Sequence, residues 1–438
     1  MIRKIIAFPY KPDRRIPSVM RDTLICQGYE KLWQAAQPLL KRHPRLRATH
    51  ARKARLIPPF PRAEIWIQAA SAGEAFLAVE IVRELRTQTH SPILVTTGTE
   101  QGMEILKKEL PTDTVYPHFL PFDRPSLMNQ AVSKVAPACM VLLETELWPG
   151  LLSVLKEHRV PILLVNARMS EKSFRWYRRF NGLLRAMAPD RILAISDTDA
   201  ARYADVFPDA RTGTMPNIKF DRVQLPTAPP VPLTGLDPDR PFVVLGSVRK
   251  EEEPAIIAII RELNRLAPQV LIGLFPRHME RIPHWVDTLK TAGIPMIRRS
   301  DAGSVSPEAS VVLWDRFGEL GRAYASASAA FIGGSLAPLG GQNFLEPLMH
   351  GVRPVIGPSR FNFNWVGDDL FASGLVCVAK TPEAAAYQLV RQVESTTDGN
   401  RCQIQSEFQA FLAPRFGGAR AACDAIMGTL GSLKGKAE

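Results

Sequence analysis

Apolar and polar positions along the chain fall into two alternating series. From Ile65 onward, short apolar runs of strand character are separated by longer stretches whose apolar residues recur at helical spacing. The pattern predicts strands at Ile65–Ala70, Ile93–Thr96, Met140–Leu143, Ile162–Val165 and Arg191–Ile195. Helices are predicted at Glu74–Arg86, Glu100–Lys108, Pro125–Val135, Pro149–His158, Lys172–Ala188 and Asp197–Val206. Such alternation means βαβ units and a parallel sheet covered on both faces. A proline-rich stretch, Pro226 to Pro241, reads as an interdomain linker. A second series follows, with strands predicted at Phe242–Leu245, Val270–Leu274, Pro295–Ile297, Val311–Leu313, Ala330–Ile332 and Pro354–Ile356. Two helical stretches after Pro382 close the chain. At 438 residues the chain is too long for one ordinary core. The predicted division is an N-terminal arm (1–63), a first α/β domain (64–225), the linker (226–241), a second α/β domain (242–400), and a C-terminal helix and tail (401–438). Two parallel-sheet domains predict a ligand cleft between the carboxyl ends of both sets of strands.

Charge changes this picture at one end only. Up to Arg62 there are 15 Lys and Arg against Asp13, Asp22 and Glu30, which gives +12, the whole formal net charge of the chain. A basic arm on a neutral body points to an anionic surface, whether nucleic acid, anionic lipid or lipid phosphates, or else to a merely solvated arm. Zinc-finger spacing, an RNA-binding aromatic signature and a recognition-helix pattern are all missing, so nucleic acid is not expected. Within the arm, Pro17–Leu40 is predicted helical, with Leu24, Ile25, Leu32, Trp33, Leu39 and Leu40 apolar and the basic cluster Lys41–Arg55 behind it. That pattern fits an interfacial membrane helix and a helix docked on the body equally well. No apolar run reaches the roughly 20 residues needed to span a bilayer, and Met1–Tyr10 has too short an apolar core for a signal peptide. Five cysteines scattered singly, without a C-x-x-C, fit a reducing cytosol.

In parallel sheets the chemistry sits in the loops after the strands. The first strand runs into Ser71-Ala72-Gly73-Glu74, where small residues admit a ligand to the backbone and the new helix aims unpaired N–H groups at it. The plain reading of Glu74 is a first-turn carboxylate complementing the helix dipole. Thr97 follows the second strand. Glu144 and Glu146 follow the third, and two acids one residue apart repel unless Asn166-Ala167-Arg168, after the fourth, supplies hydrogen bonds and charge. In the second series the corresponding stretches are Gly246-Ser247-Val248-Arg249, Pro276-Arg277-His278, Gly333-Gly334-Ser335 and Gly340-Gly341-Gln342-Asn343-Phe344-Leu345-Glu346-Pro347. Glycine pairs before a helix suit a phosphate held on backbone N–H donors, and Arg277 suits a phosphate as well. Gly-x-Gly-x-x-Gly and the Walker P-loop are absent, against a dehydrogenase or ATPase. Asp197-Thr198-Asp199 has a metal-binding form but opens a helix after Ser196, where capping is the expected role. The eight histidines form no ligand cluster, so no metal site is expected.

Taken in order, Ser-Ala-Gly-Glu (71–74), Thr-Thr-Gly-Thr (96–99), Leu-Pro-Phe-Asp (120–123), Glu-Thr-Glu-Leu-Trp-Pro (144–149), Asn-Ala-Arg-Met-Ser (166–170), Asn-Ile-Lys-Phe-Asp (217–221), Pro-Arg-His (276–278), Gly-Glu-Leu (318–320) and Gly-Gly-Ser-Leu through Leu-Glu-Pro (333–347) resemble the 3-deoxy-D-manno-octulosonic acid (Kdo) transferases of lipopolysaccharide synthesis. The resemblance covers about Ile65 to Gly374. It implies a GT-B glycosyltransferase, two Rossmann-like domains with parallel sheets facing across a cleft, the first for acceptor and the second for CMP-Kdo. It further implies transfer to a lipid A precursor, with inversion, no metal and no cofactor besides the donor, on the cytoplasmic face of the inner membrane. The catalytic base it implies is Glu74. Its nucleotide-sugar site falls on Ser247, Arg249, Pro276, Arg277, His278, Gly318, Glu319, Gly333, Gly334, Ser335, Asn343 and Glu346, and its acceptor site on Ser71, Gly73, Thr97, Glu144, Glu146 and Arg168. The anionic membrane surface would be met through the arm, residues 1–62. Arg249 and Gln342 stand where the family carries histidines. Other readings of the same motifs are a GT-B transferase or epimerase for another nucleotide sugar, and an inactive envelope scaffold.

Overall fold

The structure, a computed structural model, describes residues 27–36, 59–111, 113–223, 233–237, 239–301 and 308–434. Two compact units emerge. The first comprises the described residues up to Arg222 together with Arg415 onward, and the second runs from Val223 to Pro414.

The first unit carries seven parallel strands, β1 (Ile65–Ala69), β2 (Ile93–Thr97), β3 (Val115–Phe119), β4 (Cys139–Leu143), β5 (Ile162–Ala167), β6 (Arg191–Ala194) and β7 (Arg211–Thr214), in the order β3-β2-β1-β4-β5-β6-β7. Strands β1, β2, β4 and β5 are buried along their whole length, as apolar runs covered on both faces must be. Alternate residues serve opposite layers. Ile65, Ile67 and Ala69 pack with helix Ala72–Arg86, whereas Trp66 packs with helices Pro125–Val135 and Pro149–Glu157. The order reverses between β1 and β4, which pair from Ile65↔Cys139 to Gln68↔Leu142. A reversal of this kind opens a crevice at the carboxyl ends of the two strands.

The second unit repeats the plan with β8 (Phe242–Val248), β9 (Leu271–Pro276), β10 (Met296–Arg298), β11 (Val311–Leu313), β12 (Ala329–Ile332), β13 (Pro354–Ile356) and β14 (Cys377–Val378), in the order β10-β11-β9-β8-β12-β13-β14. All its pairings are parallel, and its reversal falls between β8 and β12.

Three strands escape the sequence pattern, and all are edges. Strand β3 contains Pro117, which is tolerated because an edge strand has one row of unpaired backbone groups. Strand β7 is Arg-Thr-Gly-Thr with no buried residue, and β14 has only two residues. The single helix predicted over Lys172–Ala188 is broken into Glu171–Arg179, Asn181–Leu184 and a 3-10 turn, Arg185–Met187. Phe180 leaves helical geometry, and the weak helix formers Asn181 and Gly182 follow it. Of the predicted linker, residues 226–232 and 238 lie outside the described residues.

The chain ends in three helices rather than the two predicted, Pro382–Ser395, Asp398–Leu412 and Gly418–Lys434. The last returns to the first unit, where Ala419, Ala422, Cys423, Ala425, Ile426 and Leu430 join the core layer of Ile65 and Ile67. Asp221 fixes its start, since Oδ1 accepts from Gly417 N at 2.7 Å and Oδ2 from Ala419 N at 2.6 Å. A Cβ on Gly418 would lie 2.5 Å from Pro216 O, so only glycine admits the close approach.

Within the arm, residues 27–36 are helical, and Trp33 is buried against Phe122 and Leu127. The Tyr29 hydroxyl donates to Asp123 Oδ2 at 2.8 Å. These residues therefore dock on the body of the protein; the rest of the predicted Pro17–Leu40 helix and the basic cluster Lys41–Arg55 lie outside the described residues. Among the described residues no helix is long and apolar enough to cross a membrane.

Substituting Asp221→Ala removes both acceptors from the start of helix Gly418–Lys434. A loss of about 1–2 kcal/mol is expected in urea unfolding, with earlier proteolysis of the C-terminal helix. An unchanged unfolding midpoint would show that the cap is idle.

Candidate active site

The turn after β1 closes on itself. Ser71 is the N-cap of helix Ala72–Arg86, with extended backbone, and Glu74 N donates to its Oγ at 3.3 Å. The Ser71 hydroxyl in turn donates to Glu74 Oε1 at 3.0 Å, and Ala70 N donates to Oε2 at 2.7 Å. This is a variant of the S-x-x-E capping box, in which the carboxylate reaches the amide of Ala70, one residue before the N-cap, rather than that of Ser71. The carboxylate is nevertheless only 8 % exposed. Burial pushes its pKa up to about 7, against the opposing hydrogen bond from Ala70 N, with the nearby Glu144 charge adding to the rise and Arg168 opposing it. One side chain thus combines the cap at the helix start with a buried carboxyl raised toward neutrality. No protein contact demands the glycine at 73, where a Cβ would meet nothing nearer than Ser71 Oγ at 3.8 Å.

Across the reversal, Glu144 follows β4 with φ +53°, a left-handed conformation costly for a side-chain-bearing residue. Its carboxylate is buried between two cations. Arg168 donates to Oε2 from Nε at 3.0 Å with a second guanidinium nitrogen at 2.9 Å, and Lys219 Nζ donates to Oε1 at 2.8 Å. The buried Tyr203 hydroxyl donates to the carbonyls of Glu144 and Arg168 at 3.2 and 3.1 Å, pinning the two loops together. Glu146 turns away and accepts from Trp148 Nε1 at 2.5 Å. The repulsion expected between the two acids is thus relieved by separation, and Arg168 supplies the expected charge. Asn166 does not assist; its Oδ1 accepts from Ile218 N at 2.9 Å, and its buried Nδ2 has no partner. Thr97, at the end of β2, is buried with its hydroxyl unpartnered, and a Cβ on Gly102 would lie 2.2 Å from that oxygen.

Two further groups shape this end of the sheet. Asp123 accepts from Gly150 N at 3.0 Å and Leu151 N at 2.7 Å, so it holds the start of the helix that follows Glu144–Pro149. Burial pushes its carboxyl up to about 7, against these hydrogen bonds. Asp199 accepts from Met169 N and from the Ser196 hydroxyl, which is the capping role expected of it.

In the second unit the predicted residues follow the carboxyl ends of β8, β9, β11 and β12. Ser247 has φ +55° at the end of β8. Arg277 and His278 leave β9 exposed; among the described residues the Arg277 guanidinium has no acceptor, while His278 Nδ1 lies 3.5 Å from Glu280. Arg249 keeps a buried Nε without a hydrogen-bond partner, 3.8 Å from Glu251 Oε2. Glu319 accepts from Arg299 Nε at 3.0 Å and Trp314 Nε1 at 2.9 Å. Trp314 stacks on Phe275 with ring centroids 4.3 Å apart. Burial raises the Glu346 carboxyl above its ordinary value. Asn343 is exposed, and its Oδ1 accepts from Leu345 N at 3.2 Å.

The glycine turns depart from expectation in their chemistry. The amides foreseen as phosphate donors already have internal acceptors. Gly333 N donates to Gly246 O, Gly341 N to Gly334 O, Gln342 N to Gly333 O and Gly340 N to Ser359 Oγ. The amides of Gly334, Ser335 and Leu336 all donate to Glu252. Glycine is required here by shape. A Cβ at Gly333 would lie 2.6 Å from Ser247 O, and Gly334, Gly340 and Gly341 have φ of +71°, +88° and +79°. The Ser335 hydroxyl is turned inward as well, donating to Ile332 O and accepting from Gly357 N. Lys219, Arg299 and Glu252 were not foreseen as site residues. Lys219 lies in the quoted Asn-Ile-Lys-Phe-Asp motif, so its spacing was visible; the run Glu251-Glu252-Glu253 gives no sign of which member turns inward. Among the described residues no group of three His, Cys, Asp or Glu is arranged to hold a metal ion.

Two seven-stranded parallel sheets, each with a reversal of strand order, give the chain the two-unit α/β architecture of the GT-B fold. A solved glycosyltransferase from Rickettsia africae ESF-5 shares the fold, with a TM-score of 0.55 over 85% of this chain and 99% of that one at 10% identity. Sequence then gives the family. Residues 34–222 match the family described as 3-deoxy-D-manno-octulosonic-acid transferase (kdotransferase). A 3-deoxy-D-manno-octulosonic acid transferase of Bordetella pertussis is 34% identical over 386 residues, covering 84% of this chain and 88% of the relative. One from Haemophilus influenzae is 34% identical over 310 residues, covering 69% and 72%. The chain belongs to the Kdo transferase family of lipopolysaccharide biosynthesis.

The raised Glu74 carboxyl has a stability consequence of definite sign. Below its ordinary value of 4.5 the group is neutral in folded and unfolded chains alike. Between 4.5 and about 7 only the unfolded chain releases the proton, so stability falls as pH rises through this window. Glu74→Gln keeps the cap and lacks the charge. Its unfolding free energy is expected to match the wild type near pH 4.5 and exceed it by on the order of 3 kcal/mol at pH 8. Equal stability of the two proteins at pH 8 in denaturant titrations would contradict the burial assigned to Glu74.

Proposed function

We propose that this protein transfers Kdo from CMP-Kdo to a hydroxyl of a lipid A precursor, with inversion at the anomeric carbon and without a metal ion. Glu74 is the general base. The carrying observation is its buried carboxylate beside the β1/β4 reversal, with a pKa pushed up to about 7. A base tuned near neutrality can take a hydroxyl proton at cellular pH, whereas an ordinary carboxylate is too weak. The acceptor oxygen bonds to the anomeric carbon as the bond from that carbon to the CMP phosphate oxygen breaks on the opposite face, and the hydroxyl proton passes to Glu74. Ser71 holds the base in one rotamer. Arg168 and Lys219, already holding Glu144, supply positive charge that suits a phosphorylated acceptor.

The second unit takes the donor. CMP leaves as a phosphate monoester, and the developing charge is met by Arg277, exposed and without an internal acceptor, and by Arg249. Glu319, Asn343 and Glu346 offer acceptors for the ribose and base, and the stacked pair Trp314 and Phe275 stiffens the floor beneath Glu319. An anionic membrane on the cytoplasmic side of the inner membrane is the proposed working surface, met through the basic residues of the arm. A further basic, aromatic segment supports that reading. Helix Glu171–Arg179 has no buried residue and exposes Lys172, Arg175, Trp176, Arg178 and Arg179 just beyond the Arg168 loop.

Incubation with CMP-Kdo and a tetraacylated lipid A precursor is expected to release CMP and to add the mass of Kdo to the lipid. Absence of both in mass spectrometry would remove this reading. The pH profile of kcat/KM is expected to climb with unit slope up to about pH 7, where Glu74 loses its proton. Glu74→Gln is expected to lower kcat by about 10²–10⁴-fold; activity within tenfold of wild type would take the base away from Glu74.

A further inference from the structure

The first glycine turn of the second unit already contains an anion. Glu252 ends the 3-10 turn Lys250–Glu252 after β8 and is 1 % exposed. Its Oε1 accepts from Ser335 N at 2.8 Å and Leu336 N at 2.7 Å, with Ala337 N at 3.4 Å, and its Oε2 accepts from Gly334 N. Successive backbone amides converging on one point form the kind of nest in which proteins hold phosphates. Here the occupant is a side chain of the same unit, and among the described residues no lysine or arginine pairs with it. Backbone dipoles alone balance its charge, which makes the arrangement demanding: removing the carboxylate leaves two buried donors and the part-buried Leu336 amide unmatched.

The turn it holds is a junction. Gly341 N donates to Gly334 O at 2.6 Å and Gln342 N to Gly333 O at 3.1 Å, so the segment leading to Asn343 and Glu346 hangs from the nest. Gly357 N donates to Ser335 Oγ at 2.8 Å, tying in the loop after β13. A Cβ on Gly357 would lie 2.2 Å from Ser335 O, so the two loops are packed backbone to backbone. The ends of β8, β12 and β13 thereby meet around one carboxylate.

We propose that Glu252 is a positioning residue that permanently occupies the glycine nest, and that the donor phosphate is therefore held by side chains rather than by the glycine amides. The nest sets where Asn343 and Glu346 stand, while the phosphate is met by Arg277, which has no acceptor among the described residues, and by Arg249, three residues before Glu252, whose Nε lies 3.8 Å from Glu251 Oε2. This inference rests on the CMP-Kdo reading for the identity of the phosphate; the occupancy of the nest does not.

Two measurements on the full chain separate these points. In wild type and in Glu252→Gln, Glu252→Asp and Glu252→Ala, hydrogen exchange is followed across residues 333–343, and CMP binding is measured by calorimetry alongside kcat and KM for CMP-Kdo. Gln offers one acceptor but sets its amide N–H against the nest, so Glu252→Gln and Glu252→Ala should exchange faster at 334–336 and bind CMP about tenfold more weakly. KM for CMP-Kdo should rise more than kcat falls, and Glu252→Asp, which keeps the charge, should recover part of the loss. Tighter CMP binding by Glu252→Ala or Glu252→Gln would overturn the proposal, because it would mean that the carboxylate competes with the phosphate for the same amides. Unchanged exchange together with unchanged affinity would overturn it as well. Should Glu252→Ala fail to fold, the Gln and Asp variants carry both tests. A wild type that does not bind CMP would defeat the donor assignment, and the exchange data would still decide whether Glu252 holds the turn.

Discussion

Burying a carboxylate without matching donors costs several kcal/mol, and among the described residues the carboxyl edges of the two sheets bury five: Glu253, paired with Arg281 and His284, and four others. Each is compensated differently, and the differences assign their roles. Glu144 sits between Arg168 and Lys219 and stays within an ion cluster. Asp123 takes two backbone amides and the Tyr29 hydroxyl, and Glu252 takes backbone amides alone. Glu74 has the weakest set, one backbone amide and one serine hydroxyl, with a like charge nearby. Asp123 and Glu74 are both pushed up to about 7. Asp123, at 1 % exposure, has no surface to offer a substrate, whereas Glu74 at 8 % keeps an opening. Under-compensation together with access is what supports Glu74, rather than Asp123, as the proposed base.

The same edges hold three of the six non-glycine residues at positive φ among the described residues. A parallel sheet delivers every strand end to one side, and at each reversal of strand order two neighbouring chains diverge. Side chains aimed into that gap need backbone directions that extended or helical geometry does not give. Glu144, Asn166 and Ser247 accordingly sit at positive φ without being glycine. The strain is held by its surroundings: Tyr203 bonds the carbonyl of Glu144, and Ser247 is covered by Gly333 at a distance that excludes a Cβ.

Much of this was legible in the order of residues. Interior strands are continuous apolar runs because both faces are covered, so β1, β4 and β5 stood out, and the edges β3, β7 and β14 did not, since one side of each meets no partner strand. Glu74 was legible as a first-turn carboxylate at a strand-to-helix turn, while its bond to the Ser71 hydroxyl was not read from the sequence. Glu144 and Arg168 were legible because two acids at a strand end demand a counter-charge. What stayed hidden depends on direction rather than identity. Nothing in Glu251-Glu252-Glu253 says that the second member turns into a nest and the third onto Arg281. Nor does the terminal helical pattern show that its last helix crosses back to Asp221. Contacts between residues nearly 200 positions apart leave no local period.

The glycine turns show the same limit more sharply. From sequence, a glycine pair before a helix means free amides, because phosphate sites use glycine in that way. Glycine also serves wherever two backbones must touch or φ must be positive, and sequence alone does not separate these uses. The deciding quantity is whether each amide already has an acceptor. For Gly333, Gly334, Gly340 and Gly341 each one does. The turn is then a frame, and under the proposal made above recognition of the donor phosphate falls to side chains, among them the exposed Arg277 guanidinium. A frame held by an internal carboxylate also repels a second anion from the nest itself, so the same charge that orders the loop directs the phosphate away from it.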